Sequence, residues 1–242
     1  MQFEQLITPQ YRDAGADGTI GLKGYMNYCQ DAATWHMKGY DLGNDRLIEE
    51  FGMAWMYTKC RMKIFSRTGF HGPLLVETGM TSEEKVRVDR DFRITQDGKL
   101  LALSRLESCL YKVDENRLCK IRDIDYPINE CDEPFEDLTP KRLPKDISGM
   151  DKIYDYRIRY SVLDKSMHMN NLHFTDLFMN VFGPEFYETH EIREYDINYI
   201  SQGMYDMVLG VYMRREGDVI NMAAADADGK LIAACRMVTE GV

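Results

Sequence analysis

The order of predicted elements is repeated once along the chain, and this repeat constrains the fold more than any other feature. Each half contains one segment with the helical spacing of apolar residues, at residues 22–38 and 170–182. A glycine follows each segment, at Gly39 and at Gly183, as is typical of a helix C-terminus. The pattern then changes to alternation, which predicts antiparallel strands. The sequence therefore predicts two copies of one unit, each a long helix followed by a sheet.

The predicted strands fall into two sets, one after each helix. The first set comprises residues 55–65, 74–83, 86–95 and 100–113, and the second comprises residues 192–200, 204–214, 219–225 and 231–238. One further strand is predicted ahead of each helix, near residues 3–11 and 153–161. Each set contains an Asp-Gly dipeptide, at Asp97-Gly98 and at Asp228-Gly229. This dipeptide is the strongest short-range signal for a β-hairpin.

A stretch rich in proline and charge separates the two halves. Residues 132–149 contain three prolines and few large apolar side chains, a composition typical of a linker. We predict a first domain over residues 1–140, a linker over residues 141–150 and a second domain over residues 151–242.

One architecture accounts for two copies of a long helix followed by an antiparallel sheet. In the hotdog fold a curved antiparallel sheet wraps around a long helix, and two such units pack side by side. We therefore predict an α+β protein made of two tandem hotdog domains. Two unrelated α+β domains are the alternative that the pattern leaves open.

Composition and charge exclude several classes of protein. Hydrophobic residues make up 44% of the chain and charged residues 29%, which provides for a sizeable core and excludes wholesale disorder. The formal net charge of −10 is opposite in sign to that of a general nucleic-acid binder. No apolar run reaches the roughly 18 residues that a membrane span needs, and the first residues lack the features of a secretory signal. We therefore expect a cytoplasmic protein with no nucleic-acid partner.

The cysteines are scattered and form no Cys-x-x-Cys pair. They are Cys29, Cys60, Cys109, Cys119, Cys131 and Cys235. Such spacing argues against a zinc site and against a disulfide framework, so we expect reduced thiols. The chain also lacks a His-x-x-x-His pair, a glycine-rich phosphate loop and a Gly-x-Ser-x-Gly elbow. We predict no metal and no other cofactor, and no Ser-His-Asp chemistry of the α/β-hydrolase kind.

The most specific motif stands at the start of the second helix. It consists of Leu163-Asp164, then His168 four residues after the aspartate, then Asn170-Asn171. This stretch resembles the acyl-acyl carrier protein thioesterases of plant and bacterial fatty-acid synthesis. Their second hotdog domain carries a leucine–aspartate pair, a histidine and two asparagines at this spacing.

The first half resembles the same family, so the resemblance covers nearly the whole chain. The segment from Gly18 to Gly39, with its Gln-Asp-Ala-Ala run at residues 30–33, is similar to the family's first-domain helix. Ala54-Trp55 is similar to the strand that follows. Cys29 and His36 on this helix fit core or helix-face positions better than catalytic ones.

The sequence departs from the family at two positions. Ser166 stands where the family commonly has an asparagine, two residues after the aspartate. Plant members have Glu-Cys on the next strand, and the matching pair here is Glu194-Tyr195, aligned through the Gln202 that follows. The carboxylate is thus kept and the thiol is lost, so a mechanism that needs a nucleophilic cysteine there is excluded.

Hydrolysis of a thioester needs an activated water or nucleophile, and donors for the charge that grows on the carbonyl oxygen. A helix N-terminus offers free N–H groups, and a histidine can donate to the carbonyl or transfer a proton. A carboxylate can orient the histidine, hold the water or attack directly, and the sequence leaves these roles open. The resemblance implies catalytic roles for Asp164, His168, Glu194 and, more weakly, Ser166, and substrate or oxyanion binding for Asn170 and Asn171.

The resemblance implies an enzyme that hydrolyses acyl-acyl carrier protein in the bacterial cytoplasm and releases free fatty acid, which ends chain elongation. The first domain is then expected to hold the acyl chain. Three alternatives stay open: an acyl-CoA thioesterase, a hotdog dehydratase acting on a 3-hydroxyacyl thioester, and a non-catalytic acyl-binding protein. Because one chain already supplies a pair of hotdog domains, the oligomeric state also stays open, with a homodimer as one option.

Acyl carrier protein is acidic, as this chain is, so binding it requires a local basic surface. Three groups of cations are candidates for that surface. They are Arg61 with Lys63, Arg157 with Arg159, and Lys141 with Arg142 and Lys145.

Overall fold

The computed structural model describes residues 2–127, 133–135, 138–139 and 141–242. The backbone divides into two compact units, Met1–Thr139 and Pro140–Val242. The division falls inside the proline-containing stretch between the two predicted copies. Cys131 and Pro140 lie outside the described residues.

The first unit contains one antiparallel sheet and two helices. Its strands are β1 (Phe3–Ile7), β2 (Met53–Ile64), β3 (Leu74–Glu83), β4 (Arg87–Gln96), β5 (Lys99–Lys112) and β6 (Arg117–Leu118), and its helices are α1 (Leu22–Gly39) and α2 (Asn44–Phe51). Within the unit the strands pair in the order β1-β3-β4-β5-β2, and β6 pairs with β5.

The second unit repeats this arrangement. Its strands are β7 (Asp151–Arg157), β8 (His190–Tyr199), β9 (Val208–Glu216), β10 (Val219–Ala225) and β11 (Leu231–Gly241), and its helices are α3 (Asn171–Met179) and α4 (Pro184–Thr189). Within the unit the strands pair in the order β7-β9-β10-β11-β8, and every pair is antiparallel.

The two units share one topology. If the strands of each unit are counted from its own first strand, both sheets have the order 1-3-4-5-2, and both units form helices between strands 1 and 2. The prediction of two tandem hotdog domains in an α+β protein is therefore confirmed.

The helix boundaries match the prediction closely in the first unit and less closely in the second. Helix α1 begins at Leu22 as predicted and ends at Gly39. Helix α3 is shorter than predicted, because it ends at Met179. Pro184 is the first residue of α4, a position where a backbone N–H has no intrahelical acceptor, so the N–H that proline lacks is not missed. Helices α2 and α4 were not predicted.

Turn chemistry explains both the correct and the incorrect strand boundaries. Asp97 and Gly98 both have positive φ, of 50° and 78°, as the predicted two-residue hairpin between β4 and β5 requires. Strand β9 begins at Val208 rather than at the predicted Met204. The reason is a turn in which the Met207 N–H donates to the Met204 carbonyl and Asp206 has a φ of 66°.

The core of the first unit lies between its helices and its sheet. Met37 of α1 and Leu47 of α2 are buried in one cluster with Met80, Val88 and Leu110, which come from three strands. In the second unit α3 buries Phe174, Leu177 and Phe178, and the Tyr195 hydroxyl of β8 lies 3.3 Å from the Thr175 hydroxyl of α3.

A buried ion pair fixes the segment that leaves the first sheet. Arg105 donates to both carboxylate oxygens of Asp91, at 2.6 Å and 2.7 Å, and Asp91 is completely buried. The Phe135 N–H donates to the same carboxylate at 2.8 Å, and Arg105 also donates to the Phe135 carbonyl at 3.1 Å. Residues 133–135 are thereby tied to strands β4 and β5.

The five cysteines among the described residues are buried free thiols. Burial raises the pKa of Cys109 to about 11, so this thiol stays protonated at neutral pH. Among the described residues, no group of His, Cys, Asp and Glu side chains could hold a metal ion. None of the helices in this part of the chain has the length and apolarity to cross a membrane.

Candidate active site

The residues of the Asp-x-x-x-His motif form a closed loop immediately before α3. The Asp164 N–H donates to the His168 carbonyl at 2.8 Å, and the Met167 N–H donates to the Asp164 carbonyl at 3.0 Å. Met167 has a φ of 63°, which lets the chain reverse within the loop. Leu163 and Met169 then pair as an antiparallel bridge. These backbone hydrogen bonds fix the direction in which the chain presents His168.

The carboxylate of Asp164 accepts hydrogen bonds from backbone N–H groups inside this loop. Its Oδ1 atom accepts from the Ser166 N–H at 2.8 Å and from the His168 N–H at 3.3 Å. An aspartate that binds backbone N–H groups two and four residues onward stabilises a tight turn. Asp164 therefore shapes the loop that carries His168, whatever further role its other oxygen has.

A second segment, from the loop between β8 and β9, pairs with the backbone at His168. His168 pairs with Met204 as an antiparallel bridge, and the Met169 N–H donates to the Gly203 carbonyl at 2.8 Å. A Cβ atom at Gly203 would lie 2.8 Å from Ile158 Cδ1 and 3.2 Å from Met169 Cβ. A larger residue here would require the Ile158 methyl group to move aside and Met169 to shift by a few tenths of an ångström.

The imidazole of His168 is available to a substrate. The residue is partly exposed, and no side chain or backbone group in the described part of the chain forms a hydrogen bond with its ring. A neutral imidazole has one donor and one acceptor nitrogen, so it can serve a carbonyl oxygen or a water molecule at this position.

The two asparagines stand at the start of α3. Asn170 is the N-cap, and its Oδ1 atom accepts from the Leu172 N–H at 3.0 Å. Asn171 is the first helical residue and is partly exposed. The cap satisfies one of the free N–H groups at this helix end and leaves the positive end of α3 beside the His168 loop.

Glu194 belongs to a strand and not to this loop. It lies on β8, and its carboxylate accepts from Arg236 of β11 at 3.1 Å. Because its neighbour Tyr195 contacts α3, strand alternation puts Glu194 on the face of the sheet that points away from α3. Glu194 also lies five residues before the strand ends at Tyr199, which is about 17 Å at 3.3 Å per residue. Asp164, Ser166, His168 and Asn170 thus lie in one continuous segment before α3, whereas Glu194 lies on strand β8 and contacts Arg236.

The motif gives Gln202 no chemical role, yet its backbone neighbours pair with the His168 loop. Gln202 directly precedes Gly203 and Met204, the two residues that pair with the His168 loop, and its side chain is exposed. Its amide can both donate and accept hydrogen bonds. Spacing along the chain gives no sign of this proximity, because the pairing joins residues more than 30 positions apart.

The first unit contains a separate cleft between its helices and its sheet. The lining is mainly apolar, with a smaller number of polar groups. It is formed by Ala33, Thr34, Met37, Gly43, Asn44, Trp55, Tyr57, Val88, Arg90, Leu106, Ser108 and Tyr126. A mainly apolar cleft with a few polar groups is the usual form of a small-ligand site.

Arg90 forms the charged part of this cleft. Its guanidinium lies 2.6 Å from His36 Nδ1 and donates to Met37 Sδ at 3.0 Å. Burial and the positive charge of Arg90 lower the pKa of His36 to about 4. His36 is therefore a neutral, buried partner of Arg90, in line with the core position expected for it.

Comparison with known protein families identifies both halves of the chain. The profile of the acyl-ACP thioesterase N-terminal domain matches residues 2–125, and that of the acyl-ACP thioesterase C-terminal domain matches residues 147–230. A curated relative, a chloroplastic palmitoyl-acyl carrier protein thioesterase of Cuphea hookeriana, is 26% identical over 212 residues. The match covers 81% of this chain and 51% of that protein, so the chain spans about half the length of the curated relatives it matches.

Solved structures agree with the fold of both units. An acyl-ACP thioesterase from Bacteroides thetaiotaomicron has a TM-score of 0.88 at 16% identity, with 98% of this chain and 97% of that chain covered. The 12:0-ACP thioesterase from Umbellularia californica has a TM-score of 0.86 at 19% identity, with 99% and 97% covered. With both domain profiles matched in order along one chain, this protein belongs to the acyl-ACP thioesterase family.

Proposed function

We propose that this chain hydrolyses the thioester of acyl-acyl carrier protein and releases free fatty acid. The observation that carries the proposal is the closed loop that presents the His168 ring at the N-terminal end of α3. Family membership supports the same substrate, since the Cuphea hookeriana relative is named a palmitoyl-acyl carrier protein thioesterase.

The proposed reaction adds water across the thioester bond. The oxygen of a water molecule attacks the carbonyl carbon, the carbon–sulfur bond breaks, and the leaving sulfur receives a proton. The His168 ring can take the proton from the water and return it to the sulfur. The free N–H groups at the start of α3, together with Asn171, can stabilise the negative charge on the carbonyl oxygen. Asp164 supports this chemistry by holding the loop in shape.

We predict that Gln202→Ala lowers turnover more than Glu194→Ala does. Gln202 adjoins the backbone that pairs with the His168 loop, whereas Glu194 faces away from α3 and binds Arg236. The measurement is kcat for thiol release from acyl carrier protein, with thermal unfolding as the check on folding. If Glu194→Ala abolishes turnover in a folded protein, the catalytic role that the family alignment gives to Glu194 is correct and our reading of the geometry is wrong.

We propose only a minor role in turnover for the exposed Ser166 hydroxyl. If it replaces the family's asparagine as a hydrogen-bonding group, Ser166→Asn should keep its turnover and Ser166→Ala should lower it modestly. Equal turnover in wild type and both variants would remove Ser166 from the reaction.

We propose further that the cleft of the first unit holds the acyl chain. Its mainly apolar lining suits an alkyl chain, and the guanidinium of Arg90 would form the polar boundary of the space that the chain occupies. Ala33→Leu adds three carbon atoms to the part of α1 that lines the cleft. The variant should shift preference toward shorter acyl groups, measured as kcat/KM over saturated chains of increasing length. An unchanged profile in a folded variant would place the chain elsewhere.

Purified protein incubated separately with acyl-acyl carrier protein and with acyl-CoA provides the test of the function. We expect free thiol and free fatty acid to appear in equal amounts from the carrier substrate. Release from CoA alone would identify an acyl-CoA thioesterase. Loss of water from a 3-hydroxyacyl group with the thioester intact would identify a dehydratase. No reaction with any of these would identify an acyl-binding protein.

We propose that the reaction takes place in the cytoplasm, where the buried thiols of the described cysteines would stay reduced. We also propose a homodimer as the assembly to test, by sedimentation at several protein concentrations. A single species with the mass of one chain would contradict it.

A further inference from the structure

A second cleft lies at the surface of the second unit and is rich in cations. It is formed between the segment that precedes β7 and the ends of β8 and β11. The residues used below are Lys141, Arg142, Lys145, Asp146, Ile200 and Lys230. We call it the strap cleft, and residues 141–150 the strap.

The strap is packed onto the sheet rather than free. Leu143, Ile147 and Met150 contact a buried cluster formed by Ala223, Ala225, Leu231 and Ala234 of β10 and β11. The Lys141 N–H also donates to Asp196 Oδ1 at 3.4 Å. The apolar side chains between the cations therefore fix the backbone that carries those cations, which the composition of a linker does not predict.

The cations of the strap cleft are available to a partner. Lys141, Arg142, Lys145 and Lys230 are all exposed, and none forms an ion pair with another residue in the described part of the chain. One carboxylate, that of Asp146, also lines the cleft, and the hydrogen bonds from Ser148 lower its pKa, so it keeps its negative charge. Asp146 Oδ1 accepts from the Ser148 N–H at 2.9 Å.

The turn beside Lys230 shows the same arrangement. Asp226 Oδ1 accepts from the N–H groups of Asp228 and Lys230, at 3.0 Å and 2.9 Å. The lining itself carries four cations and one carboxylate, which is a local excess of positive charge in a chain of net charge −10.

The other two candidate clusters are less suited to bind an acidic protein. Arg61 is only 2% exposed, so a macromolecule cannot reach its charge. Arg157 and Arg159 both form ion pairs with Asp206, at 3.2 Å and 3.0 Å. A partner would have to compete with that carboxylate for both guanidinium groups.

The strap cleft is also close to the candidate active site along the chain. Ile200 lines the cleft, and Gly203, which accepts a hydrogen bond from Met169 beside His168, follows three residues later. Three residues span at most about 11 Å of extended chain. A protein bound at the cleft could therefore deliver a group on a flexible arm to His168.

We propose that the strap cleft is the docking surface for the acidic carrier protein that bears the acyl group. This inference rests on the proposed function and names the surface that the function requires. The four cations bind carboxylates on the carrier's surface, and the strap, packed on β10 and β11, sets the carrier's position relative to the His168 loop.

The test is charge reversal at three of the four cations, in the variant Lys141→Glu/Lys145→Glu/Lys230→Glu. KM for acyl-acyl carrier protein should rise about tenfold or more with kcat little changed, because steering and docking are lost while the chemistry is intact. KM of the wild type should rise with added salt. A small model thioester should be turned over normally, and the melting temperature should show that the variant is folded.

The control is Arg157→Glu/Arg159→Glu, which reverses the competing cluster in the same unit. A larger rise in carrier KM for this control would move the docking surface away from the strap cleft. A parallel rise in KM for acyl-CoA in the strap variant would mean that the cations bind a phosphate group that both substrates carry. Either result would overturn the proposal.

The failure of this proposal and the failure of the proposed function give different results. If the wild type hydrolyses the carrier substrate but charge reversal and salt leave its KM unchanged, the docking surface is wrong and the function stands. If the wild type hydrolyses no substrate, the function is wrong. Titration of labelled carrier protein into wild type and variant, followed by fluorescence anisotropy, then decides the docking surface without turnover.

Discussion

His168→Ala is expected to lower kcat for acyl-acyl carrier protein by about 10²–10⁴-fold, the range for loss of a general acid–base group. The imidazole is a proton-transfer group on the loop that the backbone hydrogen bonds to Asp164 and Gly203 hold in place. The fold should be unaffected, because the ring forms no hydrogen bond with the described residues. Turnover is measured as thiol release under saturating substrate, and the circular dichroism melting curve is compared with that of the wild type.

His173→Ala is the matched control for this variant. His173 lies on α3 five residues further on, and it pairs with Asp176 of the same helix at 3.0 Å. Its loss should leave kcat within a few-fold of the wild type. If His168→Ala retains most of the turnover, or if His173→Ala loses as much, the catalytic role of the His168 loop is wrong.

The buried pair of Asp91 and Arg105 should have the largest effect on stability. We expect Arg105→Met to lower the free energy of unfolding by about 3–5 kcal/mol, because it leaves the fully buried Asp91 carboxylate without its cation. The variant also loses the hydrogen bond from Arg105 to the Phe135 carbonyl. Denaturant titration, followed by tryptophan fluorescence, measures the difference; Trp35 and Trp55 both lie in the first unit.

Two further variants separate this effect from a general loss of charge. Arg46→Met removes an exposed partner of Glu50 on α2 and should change the stability little. Asp91→Leu combined with Arg105→Met removes both charges and should cost less than Arg105→Met alone. If the double variant is the less stable of the two, burial of an unpaired carboxylate is not the cause.

The elements that the sequence predicted well are those set by local chemistry. Helix α1 begins where the helical spacing begins, and the hairpin at Asp97-Gly98 follows from residues that tolerate positive φ. The same local signals repeat in the second half, so the duplicated hotdog topology could be predicted without a structure. Short helices such as α2, with only eight residues, give too weak a periodic pattern to be recognised.

The elements that the sequence did not predict depend on contacts between distant residues. The composition of residues 141–150 indicates a linker, yet Leu143 and Ile147 pack on alanines of β10 and β11, because those small side chains leave room for them. Likewise, the approach of Gly203 and Met204 to the His168 loop is a backbone pairing between two loops. Neither feature has a signature in the spacing of nearby residues.

In the candidate site, too, local signals could be predicted from the sequence and contacts between distant residues could not. Asp164, His168 and Asn170 could be identified from one short motif, since a loop and a helix cap keep them together. Glu194 was placed by an alignment across the less regular stretch between α3 and β9. A shift along a strand changes the face that a residue occupies and its distance from the strand end. Gln202 lies beside the His168 loop because β8 ends at Tyr199 and the loop that follows pairs with His168. The sequence alone does not show where β8 ends.

The measurement that tests the central claim most directly compares one acyl group on two carriers. The kcat/KM of the wild type is determined for acyl-acyl carrier protein and for acyl-CoA with the same chain, with His168→Ala as the blank. We expect equal release of fatty acid and carrier thiol, a clear preference for the carrier protein, and near-complete loss of both products in the variant. Equal or greater efficiency on acyl-CoA, or unchanged release by His168→Ala, would contradict that claim.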